Sequence, residues 1–262
     1  MAIGLDSFHP GVVTMLRVGF GAATLALIPR ARRTPVDRDD WAAIAVLAVT
    51  WVAIPFTIFP LAQQWIDSAV AGMLNGATPL FTAVVASVML RALPGRRQIV
   101  GLVVGFVGVV AIALPSAGGD VTAAVGVILV VVATVCYAFA ANIMAPLQHK
   151  YGALPVMFRV QWVALLLAAP FGLFGLGTSQ FSWGSLAAVL AVGVLGTGIA
   201  FVLMGKLVGS VGSTRAVFVT YLIPVVALVL GVALRNETVA APAIAGVGLV
   251  IAGALLASRR EI

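Results

Sequence analysis

The chain has 262 residues, of which 62% are hydrophobic and only 9% are charged. An ordinary soluble domain carries about 25% charged residues, so this chain has too few polar side chains to cover a core in water. The composition excludes a soluble globular enzyme, a disordered protein and a nucleic-acid-binding module. The net charge of +7 does not change this conclusion, because the basic residues form short clusters between long apolar runs.

Nine apolar runs predict membrane-spanning helices, since about 20 mostly apolar residues cross the hydrocarbon of a bilayer. The predicted fold class is therefore an all-α polytopic membrane protein whose surroundings are lipid. The connections between the runs are too short to hold a soluble domain. In chain order the predicted spans are 10–29, 41–62, 69–90, 98–114, 122–145, 154–174, 184–204, 213–234 and 241–257.

The basic residues predict the orientation of these spans. Cytoplasmic connections carry an excess of Lys and Arg, and twelve of the fifteen basic residues fall on one side of the predicted topology. The opposite side holds only Arg235, so the twelve-residue side and the C-terminus are expected in the cytoplasm. The twelve are Arg30, Arg32, Arg33, Arg38, Arg91, Arg96, Arg97, Lys150, Lys206, Arg215, Arg259 and Arg260.

An internal repeat appears at an offset of 145 residues. Pro10 aligns with Pro155 and Pro79 aligns with Pro224, each at a matching place within a span. Spans one to four thus pair with spans six to nine, and the fifth span has no partner. Repeats that lie five spans apart have opposite orientations, because five is an odd number. Inverted repeats of this kind are a common plan of secondary transporters.

The unpaired fifth span suggests that one helix of a ten-span plan is missing. We interpret residues 1–117 as a first repeat with four visible helices and residues 118–262 as a second repeat with five. Two explanations stay open, a truncated start and a protein that is natively short.

Two segments at matching positions carry a resemblance to a known family. Residues 69–83, AVAGMLNGATPLFTA, resemble a helix of EamA-type carriers in the drug/metabolite transporter superfamily, and residues 213–225, STRAVFVTYLIPV, are the second-half counterpart. The glycine-rich stretches 101–108 and 246–253 look like the closing helices of the two repeats. The resemblance implies ten helices in two inverted five-helix repeats. It also implies export of amino-acid-like or related small metabolites across the inner membrane.

Polar residues inside the spans are the candidate substrate-cavity residues, because a polar group in hydrocarbon costs free energy unless it is paired or faces water. Asn75 and Thr78 precede the helix-bending Pro79, and the Asn75 amide could bind a substrate carboxylate or satisfy carbonyls that the proline leaves free. Thr220 and Tyr221 stand in the same relation to Pro224. The family resemblance supports a cavity position for both sites.

Tyr137, Trp51 and Arg17 complete the candidate cavity. Tyr137 lies on the fifth span, and Trp51, near the middle of the second, could be a substrate wall or plain packing. Arg17 lies seven residues into the first span, about 10 Å from its outer end at 1.5 Å per residue. It could pair with an anionic substrate group, or it could reach the interface or bind neighbouring carbonyls.

Proline and glycine positions suggest where the spans bend and pack. Pro79 and Pro224 are the candidate hinges, with Pro55 and Pro60 as further flexing points, because each proline removes a backbone hydrogen bond. The glycines from Gly101 onward allow close helix approach, either within the chain or in a homodimer.

No catalytic or cofactor motif is present in the sequence. HExxH, a phosphate-binding loop, GxSxG with plausible partners and metal-ligand clusters are all lacking, so no cofactor, metal or nucleic acid is expected. Cys136 is the single cysteine and lies in an apolar run. No Asp or Glu lies within a predicted span, which leaves facilitated movement or exchange, an ion site of amide and carbonyl oxygens, or a coupling acid in the missing span.

These observations predict a secondary transporter for a small-molecule substrate that works by alternating access between the repeats. Two alternatives remain: a non-transporting remnant or assembly partner that lacks its first helix, and a membrane-embedded enzyme acting on a lipid-linked substrate. The enzyme is disfavoured because Asp67 and His149 are predicted on opposite sides of the membrane.

Overall fold

The computed structural model describes residues 1–89, 91, 94–117, 121–204 and 222–258. Across these ranges the chain is helical and holds no β-strand, which confirms the all-α prediction. Six stretches are long and apolar enough to cross a membrane: Arg38–Ala62, Ser68–Met89, Arg96–Ser116, Val121–Tyr151, Ala153–Thr178 and Trp183–Met204. Three shorter apolar helices occupy the other predicted spans, so the full number of nine spans stays a prediction.

We number the α-helices of the described ranges in chain order. They are α1 (Ala2–Leu5), α2 (Pro10–Ala26), α3 (Pro29–Arg33), α4 (Trp41–Leu47), α5 (Ile54–Ala62), α6 (Ser68–Asn75), α7 (Thr78–Met89), α8 (Arg96–Ala117), α9 (Val121–Tyr151), α10 (Ala153–Gly175), α11 (Trp183–Gly193), α12 (Ile223–Arg235) and α13 (Ala241–Ser258).

Several helix ends follow local sequence signals. Pro10 occupies the first position of α2, where a missing N–H costs nothing, and the Nδ1 of His9 accepts a hydrogen bond from the Gly11 amide at 3.1 Å. Ser182 caps α11 in the same manner. Helix α12 ends at Arg235 and is followed by Asn236, which adopts the left-handed conformation that commonly terminates helices.

Two π-helical turns interrupt the helices of the second and seventh predicted spans. They cover Ala48–Ala53, between α4 and α5, and Val194–Ile199, after α11. The first turn lies directly before Pro55, whose ring would crowd the carbonyl four residues earlier in a regular α-helix. The two turns are 146 residues apart, close to the repeat offset. Such wide turns occur frequently at functional sites.

The chain divides into two compact units, and each unit takes segments from both halves of the sequence. Unit 1 contains Met1–Pro60 and Ile143–Ala216, and unit 2 contains Leu61–Asn142 and Val217–Ile262. Helix α9 contributes to both. The compact units therefore combine parts of both predicted repeats.

In unit 1, α2 packs against α10 in antiparallel orientation. A Cβ built on Gly11, near the start of α2, would touch the carbonyl of Phe171 near the end of α10. At the opposite end, a Cβ on Gly21 would lie 2.9 Å from the Nε2 atom of Gln161. Small residues of this kind let helix backbones approach closely in a membrane, where lipid weakens the hydrophobic drive for association.

In unit 2, α8 and α13 pack through glycines on both helices. A Cβ on Gly101 would lie 2.6 Å from the Gly253 carbonyl oxygen, and a Cβ on Gly108 would lie 2.6 Å from the Gly246 carbonyl oxygen. The contacts are reciprocal, since a Cβ on Gly246 would in turn meet the Gly108 carbonyl at 2.7 Å. Of the two roles considered for these glycines, the described structure shows packing within the chain.

Candidate functional site

The predicted span 69–90 is broken between α6 and α7, directly before Pro79. Pro79 has no N–H, so the Asn75 carbonyl lacks its usual helical donor. The Thr78 hydroxyl donates to that carbonyl at 2.6 Å and lies 3.4 Å from the Asn75 side-chain oxygen. The group that satisfies the freed carbonyl is therefore Thr78, while the Asn75 amide remains partly exposed.

The second candidate hinge, Pro224, packs against this break. A Cβ on Gly76, the residue that caps α6, would lie 2.7 Å from Cγ and 2.8 Å from Cδ of the Pro224 ring. The close approach requires glycine at position 76. The structure thus brings Asn75, Thr78 and Pro79 together with Pro224 within unit 2, and the role of the prolines as hinges stays a prediction.

The remaining candidates are divided between the units. Tyr137 is half-buried on α9, in the part that belongs to unit 2. Trp51 is half-buried in the first π-helical turn, in unit 1. Thr220 and Tyr221 lie outside the described residues. The cavity position of Thr220 and Tyr221 therefore stays a prediction.

Arg17 contacts side chains inside unit 1. Its guanidinium carbon lies 3.7 Å from the centre of the Phe56 ring, a cation–π arrangement. Its Nε donates to the Thr197 hydroxyl at 3.3 Å and its Nη1 approaches the Met1 sulfur at 2.8 Å. Whether Arg17 pairs with an anionic substrate group or binds neighbouring carbonyls stays a prediction.

Gln161 is a residue whose importance the sequence analysis missed. Its side chain is fully buried in unit 1, and neither amide atom has a hydrogen-bond partner in the described part of the chain. The amide lies beside Gly21 of α2, one helical turn from Arg17. The available signal in the sequence was a glutamine inside an apolar run.

Arg159, two residues before Gln161 on α10, has a different role. Its Nη1 donates to the Pro155 carbonyl at 2.9 Å, and its Nη2 donates to the Thr34 carbonyl at 2.6 Å. The side chain therefore anchors the connection that follows α3 to α10.

An ionic cluster within unit 1 joins the start of the second span to the end of α9. Lys150 lies 2.8 Å from one carboxylate oxygen of both Asp37 and Asp40, and the Tyr151 hydroxyl donates to the same two carboxylates. The hydrogen bond from Lys150, followed by that from Tyr151, lowers the pKa of Asp37 below its ordinary value. The cluster fixes the connection 34–40 to the rest of unit 1.

A second polar cluster lies at the start of α6 in unit 2. Glu237 accepts hydrogen bonds from the Ser68 amide at 3.0 Å, the Ser68 hydroxyl at 2.6 Å and the Ala69 amide at 2.7 Å. Glu237 thereby caps α6 in place of Asp67, the residue at the N-cap position, whose side chain makes no capping bond. Partial burial, and then the charge of Glu237, raise the pKa of Asp67.

Asp67 also lines a cavity of about 260 Å³ in unit 2, together with Trp65, Val70, Pro115 and Ser116. In the ranges that the structure describes, no three His, Cys, Asp or Glu side chains gather as metal ligands would.

Comparisons with known proteins agree with this architecture. The sequence profile of the EamA-like transporter family matches residues 1–114 and again residues 124–259. A probable terminal-alkyne amino-acid exporter of Streptantibioticus cattleyicolor is 27% identical over 266 residues, which cover 99% of this chain and 88% of the relative. An uncharacterized transporter of Archaeoglobus fulgidus is 24% identical over 222 residues, covering 85% of this chain and 79% of the relative.

A solved crystal structure shares the fold with a TM-score of 0.69 at 18% sequence identity, covering 97% of this chain and 88% of that one. Together with the two matches of the family profile, which account for most of the chain, the helices and their hydropathy lead to one conclusion. The chain belongs to the EamA-like transporter family and is a multi-pass membrane protein with a general role in transport.

Proposed function

We propose that the protein is a secondary transporter that exports small amino-acid-like metabolites across the bacterial inner membrane. The protein would alternate between inward-open and outward-open states as its two inverted repeats move. The similarity to the Streptantibioticus relative, a probable terminal-alkyne amino-acid exporter, supports the direction and the substrate class.

The observation that carries this proposal is the antiparallel packing of repeat-related helices. The first and sixth predicted spans pair as α2 with α10, and the fourth and ninth pair as α8 with α13. The third and eighth pair likewise, since a Cβ on Gly72 would touch Ala227 and one on Gly231 would lie 2.7 Å from the Cβ of Ala69. Antiparallel, reciprocal contacts are expected of segments related by a two-fold axis in the membrane plane.

The twelve-to-one distribution of basic residues supports a cytoplasmic C-terminus. Within this plan the candidate substrate-contacting residues are Asn75 and Thr78, their second-half counterparts Thr220 and Tyr221, and Tyr137, Trp51 and Arg17. Each is polar or aromatic within an apolar span, which supports a role beyond packing.

Transport in proteoliposomes tests the proposal. We expect the wild-type protein to exchange labelled neutral amino acids across the membrane, and we expect Asn75→Ala and Tyr221→Ala each to slow that exchange. Thr82→Ala is the matched control in the same predicted span, because the Thr82 hydroxyl donates to the Thr78 carbonyl within α7. Unchanged exchange in both variants would remove Asn75 and Tyr221 from the cavity, and no exchange by the wild type with any amino acid would reject the substrate class.

A further inference from the structure

The cavity in unit 2 lies where three parts of the chain meet. They are the connection between α5 and α6, the last turn of α8, and the connection between α12 and α13. All three parts follow predicted spans that end on the outer side of the membrane, so the packing of unit 2 joins segments that the topology places on one side. The residues that they contribute to the wall include Trp65, Ile66, Asp67, Pro115, Ser116 and Thr238.

The cavity combines buried apolar residues with an exposed polar rim. Ile66, Val70 and Ala243 line it and are buried, whereas Asp67 and Thr238 line it and are exposed. Its volume of about 260 Å³ lies just below the roughly 300–1,000 Å³ of pockets that hold drug-sized ligands. A small molecule with one polar end and a short apolar body would fit this combination.

Asp67 supplies a negative charge to the cavity wall. The other carboxylate that acts on it, Glu237, already accepts three hydrogen bonds as the cap of α6. Burial and the charge of Glu237 raise the pKa of Asp67, although the charge of Arg235 lowers it. The positive charge of Arg235 therefore compensates the ionised Asp67 only in part, and a cation in the cavity would supply the rest.

The groups that line the cavity favour an ammonium group over a metal ion. A primary ammonium carries three donors and no acceptor, and it would find acceptors in the Asp67 carboxylate and in the hydroxyls of Ser116 and Thr238. Trp65 lines the same cavity, and tryptophan is the best aromatic partner of a cation. A divalent ion such as Ca²⁺ needs several oxygen ligands, usually with more than one carboxylate. In the described ranges no three His, Cys, Asp or Glu side chains gather in this way.

We propose that this cavity binds the primary ammonium group of a small amine on the predicted outer side of the membrane. The ammonium donates to Asp67 and contacts the Trp65 ring, while the short apolar body of the amine lies against Ile66, Val70 and Ala243. None of these is a candidate substrate-contacting residue, so the inference goes beyond the proposed transport function and does not depend on it. The ethanolamine headgroup of a phospholipid carries the same ammonium and is the second source of this chemistry.

Thermal unfolding of the purified full-length protein in detergent tests the site, with pentylamine as the probe at neutral pH and constant ionic strength. A ligand that binds the folded state raises the unfolding midpoint. We expect pentylamine to raise the midpoint more than pentanol and pentanoate, which share its alkyl chain. Asp67→Asn keeps the shape of the side chain and removes its charge. We expect it to weaken pentylamine binding about tenfold or more, the effect of losing a hydrogen bond between charged groups.

Two further variants separate binding in the cavity from attraction to a surface charge. Asp39→Asn removes an exposed carboxylate in unit 1 and is the matched control, so it should retain full pentylamine binding. Ala240→Trp adds a bulky side chain at the exposed rim of the cavity without changing any charge. We expect this variant to weaken pentylamine binding as well, because the ring takes up space that the amine would occupy.

Mixed micelles distinguish the two sources of the ammonium. Phosphatidylethanolamine and phosphatidylcholine are both neutral overall, but the quaternary choline group has no N–H to donate. If the headgroup occupies the cavity, replacing phosphatidylcholine by phosphatidylethanolamine raises the midpoint of the wild type more than that of Asp67→Asn and weakens pentylamine binding. Equal pentylamine binding in the two lipids identifies a free amine as the ligand.

Three results would overturn the assignment. The first is equal stabilisation of the wild type by pentylamine and pentanol, with no Asp67-dependent effect of phosphatidylethanolamine. The second is equal pentylamine binding by the wild type and Asp67→Asn. The third is binding that depends on Asp67 but is unchanged in Ala240→Trp, which would place the amine on the surface and not in the cavity.

Discussion

At the residue scale, Thr78 takes a role that the sequence also allows for the Asn75 amide, which is to satisfy a carbonyl left free by Pro79. Its hydroxyl bonds the carbonyl that Pro79 leaves without a donor, at 2.6 Å. We expect Thr78→Val to lose this bond at nearly constant volume and to destabilise the protein by about 1 kcal/mol, the typical worth of one hydrogen bond. Unfolding in a denaturing detergent measures the change. Thr78→Ser keeps the hydroxyl and should retain most of the stability; a similar loss in both variants would contradict the assigned role.

The sequence pattern predicted where polar residues interrupt the spans but could not predict what each one touches. Thr78 lies three residues after Asn75, a spacing at which a hydroxyl can bond a backbone carbonyl, so this contact was open to local reasoning. Gln161 was not, because its surroundings come from α2 and from the π-helical turn at 194–199, which are distant in sequence.

At the element scale, the contact between α8 and α13 predicts a strong difference between two glycines. A Cβ on Gly108 would meet the backbone of α13 at 2.6 Å, whereas a Cβ on Gly248 of α13 would meet nothing within 4 Å. We expect Gly108→Ala to push the helices apart and destabilise the protein by about 1–3 kcal/mol, the usual cost of overpacking. Gly248→Ala should be neutral or slightly stabilising, because alanine favours helix. Unfolding midpoints of the two variants check this, and equal effects would contradict the packing.

The start of α6 predicts a pH dependence. A carboxyl whose pKa is raised on folding is costly in its ionised form, so Asp67 lowers stability above its raised pKa and not below its ordinary value of 3.8. We expect Asp67→Asn to raise the unfolding midpoint at neutral pH, and we expect this gain to shrink as the pH falls through the raised pKa. Asp39→Asn, at an exposed carboxylate, is the control. A gain that persists unchanged into acid would show that the charge of Asp67 is not its cause.

Capping at this helix shows what local signals leave out. Asp67 before Ser68 is a typical N-cap residue, and a sequence pattern alone favours it as the cap. The observed cap is Glu237, which lies 169 residues from Ser68 along the chain. Tertiary contacts override the local preference here, because the packing of α12 on α6 brings the connection after α12 to the start of α6.

At the scale of the whole molecule, the distribution of charge predicts the membrane orientation. We expect a fluorescent protein fused after Ile262 to fluoresce, which requires the cytoplasm, and alkaline phosphatase at the same position to be inactive. The same reporters inserted after Gly177, in a predicted outer connection, should give the opposite pattern. Matching results at the two positions would contradict the proposed topology.

Hydropathy predicted the apolar helices well, because the ability to cross a bilayer depends on the length and composition of a segment, which are local properties. Hydropathy could not predict the two compact units. Each unit draws on both halves of the chain, so the offset of 145 residues identifies related helices without showing which of them pack together. The contacts of α2 with α10 and of α8 with α13 depend on tertiary packing, which hydropathy does not encode.

The reciprocal glycine contacts between α8 and α13 also bear on how such a chain could arise. Each helix places glycines where the backbone of the other approaches it, and the two helices run antiparallel. A shorter ancestor carrying a single copy of these glycines would already fit a second copy of itself inserted upside down. Under the proposed inverted-repeat plan, gene fusion would join two copies that already recognised each other, and the contact of α8 with α13 would be the seam between them.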